Sequence, residues 1–362
     1  MIFMPQIYAN PLHMAALYNR GYVITGSLGK GAFGVVYRVL DARTQKEYAV
    51  KAVPIRSVCN PQQGAWPVLA EYGICSRLLQ ARLQARGAST PVNSENVVQI
   101  HEVFFDLENY YIAMECLRGQ TVSSLIKNVY PNGLCALGGN VVKMSAWSIL
   151  SGIRYLKQFN IVHRDIKPSN VFVSARGPRD TVVKLIDMGL GTIVADYKSS
   201  SMLSYVCTPF YALPEIEDNL PYTSRCDLWS AGMTIYYMAT GRNLVSDQSP
   251  SYKGDKKRIR TECRFERYKF PGIEDEGLNR ILSLLLAPGN KDVEDIMADP
   301  WFDGCTVSTQ KESARVSTNQ TQEQSQCGSE HSFSPSTTST ASITINNAKS
   351  TQRSSEAHRE RM

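Results

Sequence analysis

The apolar residues in the first third of the chain alternate with polar ones, as they do in half-buried strands. Residues 20 to about 60 are rich in β-branched and aromatic side chains with turn residues between the runs, and this pattern predicts strands. Apolar residues then recur at helical spacing over Val68–Leu83, which predicts a helix. Two more strands are expected over Glu95–Glu102 and Tyr110–Glu115. This part of the chain therefore predicts a small sheet with one helix.

After Arg118 the apolar spacing becomes mainly helical. Helices are predicted over Thr121–Val129, Val141–Phe159, Asp227–Thr240 and Leu278–Leu286. A polar turn over Ser174–Thr181 is expected before a strand over Val182–Ile186. Residues 241–275 are polar and lack clear periodicity, so no regular element is predicted there.

These patterns predict an α+β fold, rich in strands over residues 20–117 and mainly helical over residues 118–303. Residues 1–19 form a short extension whose placement the sequence leaves open. Residues 304–362 differ in character, since 22 of these 59 are Ser or Thr and Phe333 is the only aromatic residue. Such a segment buries too little apolar area to offset its ordering entropy, so we expect a disordered tail.

The composition excludes several classes of protein. The chain has 362 residues, a net charge of +6 and no long basic run, so we expect no nucleic-acid partner. Its nine cysteines are scattered without a C-x-x-C pair, which argues against zinc and against a disulfide framework. A reduced, intracellular and cytoplasmic setting is expected. No apolar run reaches the ~18 residues of a membrane span, and the N-terminus does not have the pattern of a signal peptide.

A glycine-rich turn lies near the start of the predicted sheet. Gly29, Gly31 and Gly34 fit G-x-G-x-x-G, a spacing that lets backbone N–H groups approach phosphate oxygens. A dinucleotide-binding turn would need a helix directly after the glycines, whereas β-branched and aromatic residues follow here, over residues 35–39. A strand is therefore expected, and the next strand carries Lys51 between alternating apolar residues.

A second group of polar residues lies in the helical part of the chain. His-Arg-Asp-Ile-Lys-Pro-Ser-Asn at 163–170 stands between two apolar runs, and Asp-Met-Gly follows at 187–189. A further segment, residues 207–215, reads Cys-Thr-Pro-Phe-Tyr-Ala-Leu-Pro-Glu. An ordered set of this kind is far more specific than a single Asp or a single glycine-rich turn. The chain resembles the eukaryotic protein kinases over residues 20–303. The resemblance implies a two-lobed fold, with a small β-rich lobe over residues 20–117 and a larger helical lobe over residues 118–303.

That resemblance implies transfer of the γ-phosphoryl group of ATP with Mg²⁺ as the metal. It assigns Asp165 to the acceptor hydroxyl, Lys167 to the developing charge, and Asn170 and Asp187 to the metal. Lys51 is expected to hold the phosphates and Glu71 to hold Lys51, although a plain surface glutamate is the alternative for Glu71. The remaining residues implied to bind the nucleotide are Leu28, Gly29, Lys30, Gly31, Ala32, Phe33, Gly34, Val36, Ala49, Met114, Glu115, Leu117 and Phe172.

The resemblance also implies the substrate and the regulation. Lys167 and Thr208 are the residues that Ser/Thr-specific kinases place beside the catalytic Asp, so Ser and Thr hydroxyls of proteins are the expected acceptors. Arg164 offers a guanidinium suited to a phosphate, and Ser204 is the expected phosphorylation site for an upstream kinase. Plain loop composition is the alternative reading of the nearby serines. Asp227 is expected to support the backbone of the catalytic loop.

Several positions depart from the kinase pattern. Met188 replaces Phe, Cys207 replaces Gly and Leu213 replaces Ala. Asn290 stands where an Arg usually pairs with Glu215, so Glu215 either lacks a partner or uses Lys291. These departures leave open a pseudokinase that binds partners without chemistry. A small-molecule kinase of similar fold is disfavoured by the segment at 207–215.

The segments HRDIKPSNVFV, KLIDMGLG and LSYVCTPFYALPE are most similar to the NIMA-related kinases, of which this chain would be a divergent member. Membership would imply roles in cell-cycle control or at the cytoskeleton, and a cytoskeletal or nuclear location in addition to the cytoplasm.

Overall fold

A five-stranded antiparallel sheet forms the N-terminal lobe. The computed structural model of the chain describes residues 10–31, 34–55, 66–85, 95–129, 137, 139–177, 180–245, 251–265, 267–289 and 291–305. The strands are β1 (Tyr22–Lys30), β2 (Val35–Asp41), β3 (Glu47–Pro54), β4 (Ile100–Phe105) and β5 (Asn109–Glu115). They are ordered β1-β2-β3-β5-β4, so β3 and β5 lie inside the sheet. Their side chains are mostly buried on both faces, which explains their nearly continuous apolar runs.

Two helices cover the faces of this sheet. Helix α2 (Trp66–Ala85) follows the predicted helix closely and packs on β4. Helix α1 (Pro11–Asn19), in the extension that the sequence left open, packs on the opposite face. Its His13 ring lies 3.0 Å from the Tyr37 hydroxyl and 3.3 Å from the Asn109 side-chain oxygen. Leu17 is fully buried in the same cluster, so the extension completes the hydrophobic core of the lobe.

The predicted strand over Glu95–Glu102 was wrong in its bounds, because β4 begins only at Ile100. The residues before β4 pair elsewhere. Val97 forms a parallel bridge to Leu185, and the Val98 amide donates to the Leu185 carbonyl at 2.9 Å. Buried valines here therefore join the sheet to the second lobe, and alternation alone could not distinguish this role from a sheet strand.

The second lobe is mainly helical. Its helices are α3 (Val122–Val129), α4 (Gly139–Lys157), α5 (Pro214–Glu217), α6 (Arg225–Thr240), α7 (Tyr252–Arg264), α8 (Glu276–Leu286) and α9 (Val293–Met297). A three-stranded sheet of β6 (Gly119–Thr121), β8 (Val171–Gly177) and β9 (Asp180–Leu185) and a pair of β7 (Ile161–Val162) and β10 (Thr192–Ile193) complete it. Helix α6 is buried nearly all round, as expected for a central helix. The two-lobed α+β fold predicted from the sequence is confirmed.

Two predictions for this lobe were wrong. The turn expected over Ser174–Thr181 is mostly strand, because β8 and β9 form a hairpin that continues to Gly177 and resumes at Asp180. The region 241–275, predicted to be irregular, contains α7. That helix buries only Lys256, Ile259 and Cys263, so its one narrow buried stripe includes a charged residue and its apolar periodicity is weak.

Residues 306–362 of the predicted tail lie outside the described residues. No helix in the described part of the chain combines the length and the apolar character needed to cross a membrane.

Candidate active site

A cleft of about 750 Å³ lies between the two lobes. On one side the glycine-rich turn joins β1 to β2, and the Gly31 amide donates to the Gly34 carbonyl at 2.8 Å. A Cβ atom at Gly34 would lie 2.1 Å from the Ala52 carbonyl oxygen, so only glycine fits this close approach to β3. Ala32 and Phe33, at the tip of the turn, lie outside the described residues.

Most residues that the sequence assigned to nucleotide binding line this cleft, as do the two assigned to the metal. The lining set includes Leu28, Gly29, Gly31, Gly34, Val36, Ala49, Lys51, Glu71, Met114, Glu115, Leu117, Asn170, Phe172 and Asp187. Lys30 differs, since it is exposed and is not among the lining residues of the cleft. Gly29 and Gly31 on either side of it line the cleft, so the alternation of β1 directs the Lys30 side chain to the opposite face.

The Lys51 ammonium joins two carboxylates inside the cleft. Its Nζ lies 2.6 Å from Glu71 Oε1 on α2 and 2.7 Å from Asp187 Oδ1 after β9. Glu71 is only 3% exposed, so it is not a surface glutamate. Burial alone would raise the pKa of Asp187, but the ammonium outweighs burial and holds that pKa below its usual range. Asp187 is therefore an anion pointing into the cleft.

Tyr110 on β5 is part of this arrangement, and sequence reasoning missed it. Its hydroxyl donates to Glu71 Oε2, so both oxygens of that buried carboxylate are satisfied. Burial, followed by the neighbouring Glu71 charge, raises the pKa of Tyr110 far above its usual range, which keeps the hydroxyl protonated as a donor. A tyrosine in a buried strand carries no sequence signal that separates such a role from ordinary core packing.

The loop at 163–170 gathers its polar side chains around Asp165. Asn170 Nδ2 donates to Asp165 Oδ2 at 2.8 Å, and the Lys167 ammonium lies 2.9 Å from the same oxygen. Thr208 Oγ1 donates to the other oxygen at 2.6 Å and accepts from Lys167 Nζ at 2.9 Å. Because Nδ2 of Asn170 is occupied in this way, its amide oxygen is left to accept or to coordinate.

Asp227 on α6 supports the backbone of this loop, as the sequence suggested. Its two carboxylate oxygens accept from the backbone amides of His163 and Arg164 at 2.8 and 2.7 Å. Arg164 has a φ of 62°, a region that costs energy for a residue with a side chain. The paired acceptors of a fully buried carboxylate fix that conformation.

The side chain of Arg164 crosses to the segment at 187–215. It donates to the Leu190 carbonyl at 2.7 Å and the Gly191 carbonyl at 3.1 Å. Its Nη1 atom lies 2.6 Å from Ser204 Oγ, the serine that the sequence singled out. Met188 is buried in the same hydrophobic core as Cys75 and Ile100, where it occupies the interior position expected for an apolar side chain.

Glu215 pairs with a residue that the sequence did not suggest. The structure places the Arg260 guanidinium of α7 at 2.5 Å from Glu215 Oε1, so neither a missing partner nor Lys291 is correct. Asn290 lies outside the described residues. Arg225 donates to two backbone carbonyls close to this position in sequence, Lys291 O at 2.6 Å and Ala287 O at 2.8 Å. Arg260 was missed because α7 itself was not predicted.

The Glu115 side chain has two partners. Lys184 Nζ forms an ion pair with Glu115 Oε1 at 2.8 Å, and the Gln99 amide donates to the same oxygen at 2.8 Å. Glu115, Cys116 and Leu117 all line the cleft.

Comparison with known proteins assigns this fold and site to a family. The protein kinase domain family matches residues 22–302. The mouse serine/threonine-protein kinase 33 is 24% identical over 299 residues, 80% of this chain and 56% of that protein. The Drosophila melanogaster ovarian-specific serine/threonine-protein kinase Lok is 29% identical over 233 residues, 64% of this chain and 45% of that protein. Calcium-dependent protein kinase 4 of Plasmodium falciparum is 28% identical over 273 residues, 75% of this chain and 47% of that protein.

The chain belongs to the protein kinase family, because the family match covers more than half of it. It spans about half the length of the curated relatives it matches.

Proposed function

We propose that this protein is a serine/threonine kinase that transfers the γ-phosphoryl group of ATP to Ser or Thr hydroxyls of protein substrates. The observation that carries the proposal is a set of two paired contacts, formed by four side chains from three separate parts of the chain. Lys51 and Asp187 are joined inside the cleft, and Asn170, which also lines it, bonds to Asp165. Serine/threonine kinases among the relatives support the acceptor class.

The nucleotide would lie in the cleft. The Lys51 ammonium, held by Glu71, would bind the α- and β-phosphates, and the backbone of the glycine-rich turn would approach the phosphate oxygens. The apolar lining would hold the adenine ring against Met114, and the backbone of residues 115–117 would bind its polar edge. Because phosphoryl transfer needs little covalent help, the work of the protein is positioning and charge neutralisation.

The donor set fits Mg²⁺. Asp187 offers a carboxylate kept ionised by Lys51, and Asn170 offers an amide oxygen, and both are hard oxygen ligands. A bound Mg²⁺ would neutralise phosphate charge. Asp165 would accept or orient the acceptor hydroxyl proton, with its oxygens fixed by Asn170 and Thr208. Lys167 stands beside Asp165 and would neutralise charge on the transferred group.

A radiolabelled ATP assay with a Ser/Thr peptide library tests the activity. We expect wild-type transfer and a fall of at least about a hundredfold in Asp165→Asn, because the acceptor hydroxyl loses its base. The matched control is Asp303→Asn, an exposed aspartate far from the cleft. If wild type and Asp165→Asn both bind ATP without transfer above background, the pseudokinase alternative is correct. Equal transfer by both would refute the role of Asp165.

We further propose that phosphorylation of Ser204 by an upstream kinase strengthens its contact with Arg164. The unmodified hydroxyl already lies 2.6 Å from Nη1, and a phosphate would convert this contact into a charge-assisted pair. Equal activity of Ser204→Ala and wild type, purified from cells that express the upstream kinase, would refute it. The motifs at 163–173 and 184–191 support a place near the NIMA-related kinases, and with it an intracellular role in cell-cycle or cytoskeletal control.

A further inference from the structure

Helix α7 carries a lysine with no exposed surface. Lys256 is 0% exposed, and its Nζ has three oxygen partners. It donates to the carbonyls of Pro209 at 2.5 Å and Ala212 at 3.0 Å, and to Glu217 Oε1 at 3.0 Å. Three acceptors use all three N–H bonds of an ammonium. The Tyr252 ring lies 4.7 Å from the same nitrogen, which adds a favourable cation–π contact.

Burying an ammonium is costly, and a hydrocarbon side chain would stabilise a helix interface at least as well. Burial also lowers the pKa of Lys256, although the Glu217 carboxylate opposes this. Two of its three partners are backbone carbonyls, which do not need a cation for charge balance. A lysine at this position therefore does more than neutralise Glu217.

The two carbonyls belong to the segment that adjoins the catalytic aspartate. Pro209–Tyr211 forms a short 3-10 helix directly after Thr208, which contacts Asp165 at 2.6 Å. The third carbonyl of this segment, that of Tyr211, accepts from Ser230 Oγ of α6 at 2.7 Å. The backbone over 209–212 is therefore fixed by side chains of α6 and α7 at three of its four carbonyls.

Two neighbouring ion pairs join α7 to α5 and do not involve the backbone over 209–212. On either side of Lys256, the acidic residues of α5 and the residue after it meet the basic face of α7. Arg260 pairs with Glu215 at 2.5 Å, and Lys257 pairs with Asp218 at 2.7 Å. These contacts join α7 to α5. Lys256 extends further, to the backbone carbonyls beside Thr208, and the Tyr252 ring of the same helix packs edge-on against Phe210, with 6.1 Å between the ring centroids.

We propose that Lys256 is a positioning residue for the protein substrate. A peptide with its Ser or Thr at Asp165 must run over the adjacent backbone at 209–212, and Lys256 sets the place of that backbone. The inference rests on the proposed kinase activity, because it concerns the acceptor half of the same site. Among the described residues that line the nucleotide half, built around Lys51 in the other lobe, none belongs to α7.

The test compares Lys256→Met with Lys257→Met, a change of the next residue in the same helix, whose side chain is 58% exposed. The substrate is a peptide that the wild type phosphorylates. We expect Lys256→Met to raise the KM for peptide about tenfold while the KM for ATP changes less than about twofold. Lys257→Met should change neither by more than about twofold.

A double variant separates positioning from charge balance. Lys256→Met leaves the buried Glu217 carboxylate unpaired, which alone destabilises a protein. Adding Glu217→Gln removes that charge but cannot restore the bonds to the two carbonyls. We expect Lys256→Met/Glu217→Gln to recover thermal stability while its KM for peptide stays high. Recovery of peptide KM in the double variant, or equal peptide KM in the two single lysine variants, would overturn the proposal.

Hydrogen exchange gives a reading that does not depend on activity. The Tyr211 and Ala212 amides donate to Thr208 O and Pro209 O at 2.9 and 3.2 Å. We expect faster exchange across 207–213 in both variants that carry Lys256→Met, and wild-type exchange in Lys257→Met. Unchanged exchange in Lys256→Met would overturn the proposal even if no peptide is phosphorylated. If only the proposed kinase activity is wrong, phosphoryl transfer will be absent while exchange across 207–213 is still faster in Lys256→Met.

Discussion

Replacing Tyr110 with Phe tests whether the hydroxyl that sequence reasoning missed holds the Lys51–Glu71 pair in place. The substitution removes one oxygen and leaves the ring volume of the β5 core unchanged. Glu71 Oε2 would then lose its donor inside a site where that side chain is 3% exposed. The Lys51 ammonium, 2.6 Å from the other oxygen, would be the remaining partner of Glu71.

The magnitude follows from the kind of bond. A hydrogen bond to a charged acceptor contributes ~1.5–3 kcal/mol, and an unsatisfied buried group costs a similar amount. Each tenfold change in rate corresponds to ~1.4 kcal/mol. We expect the lost free energy to act on the arrangement that places Lys51 at the phosphates. We therefore expect kcat/KM for ATP to fall by about tenfold or more in Tyr110→Phe.

The next residue of the same strand supplies the control. Tyr111 points to the opposite face of β5, and its hydroxyl donates to Asp106 Oδ2 at 2.7 Å. Tyr111→Phe thus removes the same atom and the same kind of bond, away from the cleft. Both variants should lower Tm by about 2–4 °C for each kcal/mol lost, and only Tyr110→Phe should change the ATP kinetics. If Tyr110→Phe loses Tm but keeps wild-type kcat/KM for ATP, Lys51 alone suffices to hold Glu71.

Two further predictions concern ion pairs of the helical lobe. Arg260→Met should lower the free energy of unfolding by about 1–2 kcal/mol, between the values for exposed and buried pairs, with exposed Arg258→Met as the control in a urea titration. A further Glu215→Gln change should recover much of that loss, and no recovery would contradict the pairing. Asp292→Asn should keep the N-cap of α9 but lose the ion pairs of Asp292 with Lys157 at 2.6 Å and Lys198 at 2.9 Å. Burial is outweighed by these ammonium groups, so the pKa of Asp292 falls to about 2. The pairs therefore contribute stability above the unfolded-state pKa of about 4, on the order of 1 kcal/mol after solvent screening. The difference in the free energy of unfolding between wild type and Asp292→Asn should shrink as pH falls from about 4 toward 2. A constant difference over that range would refute this explanation.

Local patterns predicted the parts of the site that are close together in sequence. The glycine-rich turn and the loop at 163–170 each place several polar groups within a few residues, so their spacing alone indicated a shared site. The pairing of Lys51 with Glu71 came from the family resemblance, because no periodicity links residues 20 positions apart on a strand and a helix.

The features that were missed share a physical cause. Glu215 and Arg260, and Tyr110 and Glu71, are contacts between elements distant in the chain, and neither partner is unusual in its local context. Helix α7 was missed because its buried stripe includes Lys256, so the residue that makes the helix informative also weakens its apolar pattern. Sequence reasoning by periodicity fails where a charged side chain occupies an interior position.

The same buried contacts bear on how phosphorylation of Ser204 would act. Arg164 already donates to the carbonyls of Leu190 and Gly191, and its Nη1 also lies 3.5 Å from the Tyr222 hydroxyl. The Tyr222 hydroxyl in turn donates to the Ser204 carbonyl at 2.9 Å. The backbone around Ser204 is thus held in place by bonds that need no phosphate. A phosphate there would replace the hydroxyl contacts with Arg164 Nη1 and with the Tyr222 hydroxyl at 3.2 Å, so it would strengthen an arrangement that already exists instead of creating a new one.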